Sequence, residues 1–267
     1  QHCLEAALEV SGRYEYRVRY REPGAEPVWT STRTLRAASG PAEPVRFAVL
    51  GDSGQATPAQ FAVAARLAAA RPEFILHVGA VVYPYGEARD YDDKYFVPYG
   101  PLLGVAPVYI GIGNHDYANL KRHGKRGLAW LRDHYFQVHR LPRQRSAGEW
   151  AVPEPGRTWY SFDWGPGHFA AVDVNEAFPV KAAPSIRMGS EQWAWLDADL
   201  AASEAPWKIV FLHIPLYSSG SHGSNEFLIE HLAPLFERRG VDVVFQGHDH
   251  DYERTAPIAG GLSRRCG

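Results

Sequence analysis

Short apolar runs rich in β-branched residues recur along the chain, each closed by a turn residue and a polar cluster. Residues 45–50 lead into Gly51-Asp52-Ser53-Gly54, and residues 74–78 into Gly79-Ala80-Val81-Val82-Tyr83. Val108–Ile110 is followed by Gly111-Ile112-Gly113-Asn114-His115-Asp116 and residues 208–212 by His213-Ile214-Pro215. Residues 241–245 precede Gln246-Gly247-His248-Asp249-His250. Runs of this length and composition predict buried strands. Between them, Pro58–Ala70, the segment carrying Trp193, Leu196 and Leu200, and residues 225–239 are spaced for helices. Tyr160–Trp164 and residues 168–174 predict a hairpin. The polar stretch 117–158 predicts one helix around residues 128–136, with its basic run (Lys121, Arg122, Lys125, Arg126) forming a solvated face. Strand, helix and polar cluster in turn predict an α/β protein whose ligand groups collect beyond the carboxyl ends of the strands.

The first forty residues follow a different pattern. Residues 14–20 alternate strictly, with the aromatics and Val18 on one face, and Pro23-Gly24 marks a turn before a second strand over residues 29–35. Two strands are too few for a stable module. Segment 1–40 therefore packs on the main domain or forms the end of a larger sandwich, with 38–44 as linker and 44–267 as the main domain.

Composition narrows the function classes. A chain of 267 residues with 45% apolar content buries a full core. The net charge of −2 and pI near 6.7 give no bulk attraction to nucleic acid or to an anionic membrane. No apolar stretch reaches the length of a membrane span. Gln1 opens the chain without a signal-type segment, so an export signal is absent or already removed. Cys3 and Cys266 stand at opposite ends, as one terminal staple or as two separate thiols, and leave the compartment open.

The polar clusters supply the chemistry. Asp52, Asn114, His213, His248 and His250 offer one carboxylate, one amide oxygen and three imidazoles. That mixture suits iron, zinc or manganese and not calcium, and without thiolates it is no structural zinc knuckle. Five protein ligands exceed what one open catalytic ion takes, which favours two metals. The plainer alternatives are that Asp52 caps the following helix and that His213 is a satisfied core histidine.

The ordered series Gly-Asp-x-Gly, Gly-x-x-x-Tyr, Gly-Asn-His-Asp, Val-x-x-His and Gly-His-x-His resembles the calcineurin-like metallophosphoesterase superfamily. Tyr83 makes it similar to the purple acid phosphatases within it, over residues 47–254. The resemblance implies a four-layer α-β-β-α sandwich, with 1–40 as the remnant of a fibronectin type III-like domain. It implies that Asp52, Tyr83 and His250 hold ferric iron, and that Asn114, His213 and His248 hold Zn(II), Mn(II) or Fe(II). It assigns His115 to phosphate and the leaving oxygen, Asp116 to orienting His115, and His222 to a substrate-facing position. The implied reaction is hydrolysis of a small-molecule phosphate monoester at a dinuclear centre, in a secreted or periplasmic protein. A phosphodiesterase of the same superfamily would not account for Tyr83.

One block departs from the pattern. The aspartate that bridges both metals in that family is here Ala80, and Asp90, Asp92 and Asp93 lie beyond Tyr83, out of register. Two divalent ions about 4 Å apart repel by roughly 16 kcal/mol at an effective dielectric of about 20, before ligands offset it. Loss of the shared carboxylate predicts weak or single metal occupancy and impaired hydrolysis. A non-catalytic relative that binds metal or phosphate is the alternative. Residues 259–267 also stop short of further strands that the resemblance implies.

Overall fold

The structure, a computed structural model, describes residues 8–117, 127–142, 144–146, 149–151, 157–178, 180, 183–260 and 262–263. Both cysteines and the basic run at 121–126 lie outside the described residues. Strands β1 (Arg13–Tyr16), β2 (Arg19–Tyr20), β3 (Val28–Trp29) and β4 (Arg33–Arg36) form the N-terminal segment. Then come β5 (Phe47–Leu50), α1 (Pro58–Ala70), β6 (Phe74–His77), α2 (Val97–Leu103), β7 (Val108–Ile110), α3 (Gly127–Asp133) and α4 (Tyr135–Val138). Strands β8 (Gln144–Ser146) and β9 (Glu149–Ala151) pair as a small hairpin. The second half holds β10 (Tyr160–Trp164), β11 (Gly167–Ala171), α5 (Glu191–Ala202), β12 (Trp207–Phe211), α6 (Glu226–Arg239) and β13 (Val243–Phe245).

Two sheets carry the site. One is parallel, in the order β5-β6-β7, and the other runs β10-β11-β12-β13, antiparallel in its hairpin and parallel thereafter. Strand alternation sorts their side chains into layers. Phe74, Leu76, Phe169, Ile209 and Phe211 fill the space between the sheets, where the Phe74 ring meets Trp164, Phe47 and Phe169 at 4.9, 5.1 and 5.2 Å. Ile75 and Ile110 point the other way, onto Ala64 of α1 and Tyr99 and Leu102 of α2. Ala170 and Val210 meet Leu196 and Leu200 of α5 and Leu228, Leu232 and Phe236 of α6. The result is the expected four-layer α-β-β-α sandwich. The helices start where local chemistry allows: Thr57 accepts from Gln60 N at the head of α1, with Pro58 next to it, and Asn225 accepts from Leu228 N at the head of α6.

Two expectations need correction. The strand expected over 14–20 is broken into β1 and β2, because only its first half touches the main domain. There Tyr16 donates to the Gly104 carbonyl and Arg33 to that of Gly100. The β2–β3 hairpin extends outward, leaving Val18, Tyr20, Val28 and Trp29 exposed beneath the Arg17 guanidinium, 4.3 Å from the Trp29 ring. Residues 88–103, whose spacing predicts no element, form a 3₁₀ turn, a π turn and α2 in succession. Pro98, Gly100 and Pro101 hide this helix from pattern reading, although Pro98 falls in the first turn, where its missing N–H costs nothing. Among the described residues no helix is long and apolar enough to cross a membrane.

Candidate metal centre

The loops after β5, β6, β7, β12 and β13 meet at one edge of the sandwich, beyond the carboxyl ends of their strands. Their approach is close enough to dictate glycine. A Cβ on Gly79 would lie 2.7 Å from Gly113 N and 2.9 Å from His213 Nδ1, and one on Gly247 would lie 2.8 Å from Asp52 Oδ2. Three non-glycine residues here, Asp52, Ala80 and His248, hold left-handed backbone, with φ of 52°, 53° and 72°. Such conformations are uncommon outside glycine and cluster at functional sites.

Asp52, Tyr83 and His250 form a triangle. The Tyr83 hydroxyl donates to Asp52 Oδ1 at 2.9 Å and lies 3.1 Å from His250 Nε2, which is 3.5 Å from Asp52 Oδ1. Adjacent ligands on an ion with bonds of about 2.0–2.1 Å stand roughly 2.9–3.4 Å apart, so these separations suit a shared cation. Asp52 Oδ2 also accepts from His248 N at 2.9 Å. Asp52 is therefore not a helix cap; Thr57 has that place. Burial, and then the charge of Asp52, push the Tyr83 phenol far up, so it keeps its proton unless a cation displaces it.

His213, Asn114 and His248 form the second group. His213 is fully buried, and burial lowers its pKa, so the ring is neutral. Its Nδ1–H donates to the Val78 carbonyl at 2.9 Å, which leaves Nε2 bare and facing Asn114 Oδ1 at 2.9 Å. Two lone pairs so placed repel unless a cation lies between them. His248 Nε2 is buried without a hydrogen-bond partner, and burial followed by His213 and His222 lowers this histidine to about 4. Unprotonated, partnerless imidazole nitrogens beside an amide oxygen are what a metal site needs. Among the described residues no three His, Cys, Asp or Glu side chains gather tightly enough to hold an ion unaided. A centre here would need the Tyr83 phenol and the Asn114 amide, which fall outside those types.

The remaining predicted residues surround these groups. The His115 ring lies 4.3 Å from that of Tyr83. Its orientation is set by the Pro84 carbonyl, 2.8 Å from Nδ1, and not by Asp116 as expected. Asp116 is buried and accepts instead from the N–H groups of Gly113, Ala80 and Val81 at 2.8–3.0 Å. Burial pushes its carboxyl up to about 7 against those bonds. It ties the β6 loop to the β7 loop, and an adjacent side chain in the same tight turn faces elsewhere. His222 does reach the centre, with its ring 4.1 Å from that of His248. Ala80 is fully buried and supplies no oxygen, and Asp90 is committed to Lys94 at 3.1 Å.

Three neighbours were missed from sequence. Asp249 accepts from His222 Nδ1 at 2.7 Å; its only sequence signal is a charge between two histidines. Lys94 donates to the Tyr83 carbonyl at 2.6 Å. Phe178 sets its ring 4.8 Å from His248 on a loop with no periodic pattern.

Comparison with known proteins gives the family and the fold. Residues 45–252 match the calcineurin-like phosphoesterase family. The chain is 29% identical to purple acid phosphatase 18 of Arabidopsis thaliana over its whole length, covering 55% of that protein. It is 26% identical to probable inactive purple acid phosphatase 9 of the same plant over 74% of this chain, covering 31% of that protein. A purple acid phosphatase from yellow lupin (Lupinus luteus) seeds has the same fold, with a TM-score of 0.75 at 22% identity, over 96% of this chain and 47% of that one. The chain thus spans about half the length of such relatives or less. Six donors at the loop edge of this sandwich and a family match across most of the sequence lead to one conclusion: the chain belongs to the calcineurin-like phosphoesterase family, and within it is similar to the purple acid phosphatases.

Proposed function

We propose that the protein hydrolyses small phosphate monoesters at a metal centre weakened by Ala80. One observation carries this reading: the bare Nε2 atoms of His213 and His248 converge with Asn114 and the Asp52–Tyr83–His250 triangle, an arrangement satisfied by cations. Asp52, Tyr83 and His250 would hold one ion, ferric iron, and Asn114, His213 and His248 the other, zinc, manganese or ferrous iron. Bound ions supply Lewis-acid polarisation of the ester and an activated water.

The chain's own residues do the rest. Nδ1–H of His115, donated to Pro84, fixes the ring so that, in its doubly protonated form, Nε2–H hands its proton to the departing oxygen and leaves the neutral Nδ1–H tautomer. With Nδ1–H on Asp249, His222, beside His248, donates toward the phosphate oxygens through Nε2–H when the ring carries its second proton. Asp116 holds the two loops that carry Ala80 and Asn114 at fixed separation. The Val78 carbonyl locks the His213 tautomer that leaves Nε2 bare.

The second reading, a non-catalytic metal or phosphate binder, is favoured by Ala80 alone and by relatives whose names mark them as probably inactive. Hydrolysis of p-nitrophenyl phosphate by the iron- and zinc-loaded chain separates the two. The expected result is slow turnover that His213→Ala abolishes together with metal binding. Retained metal without turnover would favour the second reading, and no bound metal would overturn the first and leave the second only as a phosphate binder.

A further inference from the structure

Asp249 is the middle residue of the His248–His250 pair, and its side chain is only 5% exposed. It points away from both metal groups into the loop 218–222. There its carboxylate accepts from Ser218 Oγ at 2.6 Å, Ser221 Oγ at 3.1 Å, His222 N at 3.1 Å and His222 Nδ1 at 2.7 Å. The loop is wrapped so closely that a Cβ on Gly220 would lie 2.6 Å from Asp249 Cγ. His222 itself is half-exposed, with no other described partner than this carboxylate and the 3.4 Å approach of Ser221 Oγ. Its ring is nonetheless held 4.1 Å from that of His248.

A half-exposed histidine on a surface loop ordinarily samples several rotamers and both neutral tautomers. Here a buried anion takes both its backbone N–H and its Nδ1–H, which fixes ring orientation and tautomer together. We infer that Asp249 is a positioning residue for this reaction: it holds His222 against the centre with Nδ1 protonated and Nε2 turned outward to the ester. The chain then sets the substrate-facing histidine through the same segment that carries two metal-group histidines. The inference rests on the proposed function for its catalytic meaning, though the dyad's geometry stands without it.

The test uses the full chain labelled with ¹⁵N-histidine, read across a pH series below about 9 so that the neutral tautomer of each ring is identified from its own titration. The expected spectrum shows His222 fixed as the Nδ1–H tautomer. Asp249→Ala releases it into the ordinary mixture while His139 and His168, remote from the loop, keep their signals. Gly220→Ala, which crowds the carboxylate without removing it, gives the same release and guards against a folding defect peculiar to one variant. On the metal-loaded chain, Asp249→Ala and His222→Ala each weaken inorganic phosphate binding about tenfold. The double variant is no weaker than His222→Ala alone. A His222 tautomer indifferent to Asp249→Ala overturns the inference, as does an additive loss in the double variant. If the unaltered chain binds no phosphate, the proposed function fails, and the tautomer measurement still decides the positioning role.

Discussion

Tyr83 and His115 show how much a single side chain carries here. Their rings lie 4.3 Å apart, yet one reaches Asp52 and His250 through its hydroxyl and the other is hung from the Pro84 carbonyl. Loaded with ferric iron, the protein should absorb in the visible through the Tyr83 phenolate, and Tyr83→Phe should abolish the band; an unchanged spectrum would remove Tyr83 from the ligand set. His115→Asn should lower kcat by roughly 10²–10⁴-fold with metal content unchanged, measured in an Ala80→Asp background so that there is a rate to lose. Loss of metal instead would move His115 into the ligand set. That the six side chains at the loop edge come together was legible because each follows an apolar run by a few residues, and strand ends are where such folds gather polar groups. The partner of Asp116 was not legible. Whether a side chain in a tight turn faces the next residue or the backbone of another loop depends on φ and ψ values that sequence does not carry.

At the scale of elements, strands and helices followed hydrophobic spacing where the spacing was regular. Helix α1 and strand β7 have the bounds read from the pattern, whereas α2 was concealed by two prolines and a glycine. One polar device on the outer face of the second sheet had no sequence signature. His168 on β11 is clasped by Asp163 of β10 at 2.7 Å and Asp199 of α5 at 2.8 Å, binding that helix to the sheet. Burial would lower its pKa, but hydrogen bonds to Asp163 and Asp199 and their charges outweigh burial and raise it to about 9. A folded pKa above the unfolded value means stability that is fully present below the ordinary histidine range and lost as pH climbs through about 9. The shift corresponds to about 3 kcal/mol. Urea denaturation at about pH 6 and about pH 10 should therefore show a stability loss that is absent in His168→Gln. An equal loss in both proteins would locate the pH dependence elsewhere.

Across the whole molecule, two sheets stacked through Phe74, Phe169 and Phe211 bring loops from residue 52 to residue 250 to one edge. The first and last of these loops are joined by the hydrogen bond from His248 N to Asp52. Ions that bind only the folded chain stabilise it by mass action, so a chelator should lower Tm, and zinc or iron should restore it. No change in Tm would mean that the centre holds no ion. The family and its sandwich were legible because the motif blocks occur in order between recognisable strands; the consequence of Ala80 was legible only as a missing charge. The proposed function turns on position 80, where a buried side chain without oxygen stands on backbone at φ 53°. The most direct test is metal analysis and p-nitrophenyl phosphate hydrolysis for the chain and for Ala80→Asp side by side. Ala80→Asp should raise bound metal from about one ion or fewer to about two per chain, with turnover increased roughly 10²–10³-fold. Two ions and full turnover in the unaltered chain, or no gain of metal on Ala80→Asp, would contradict the proposed function.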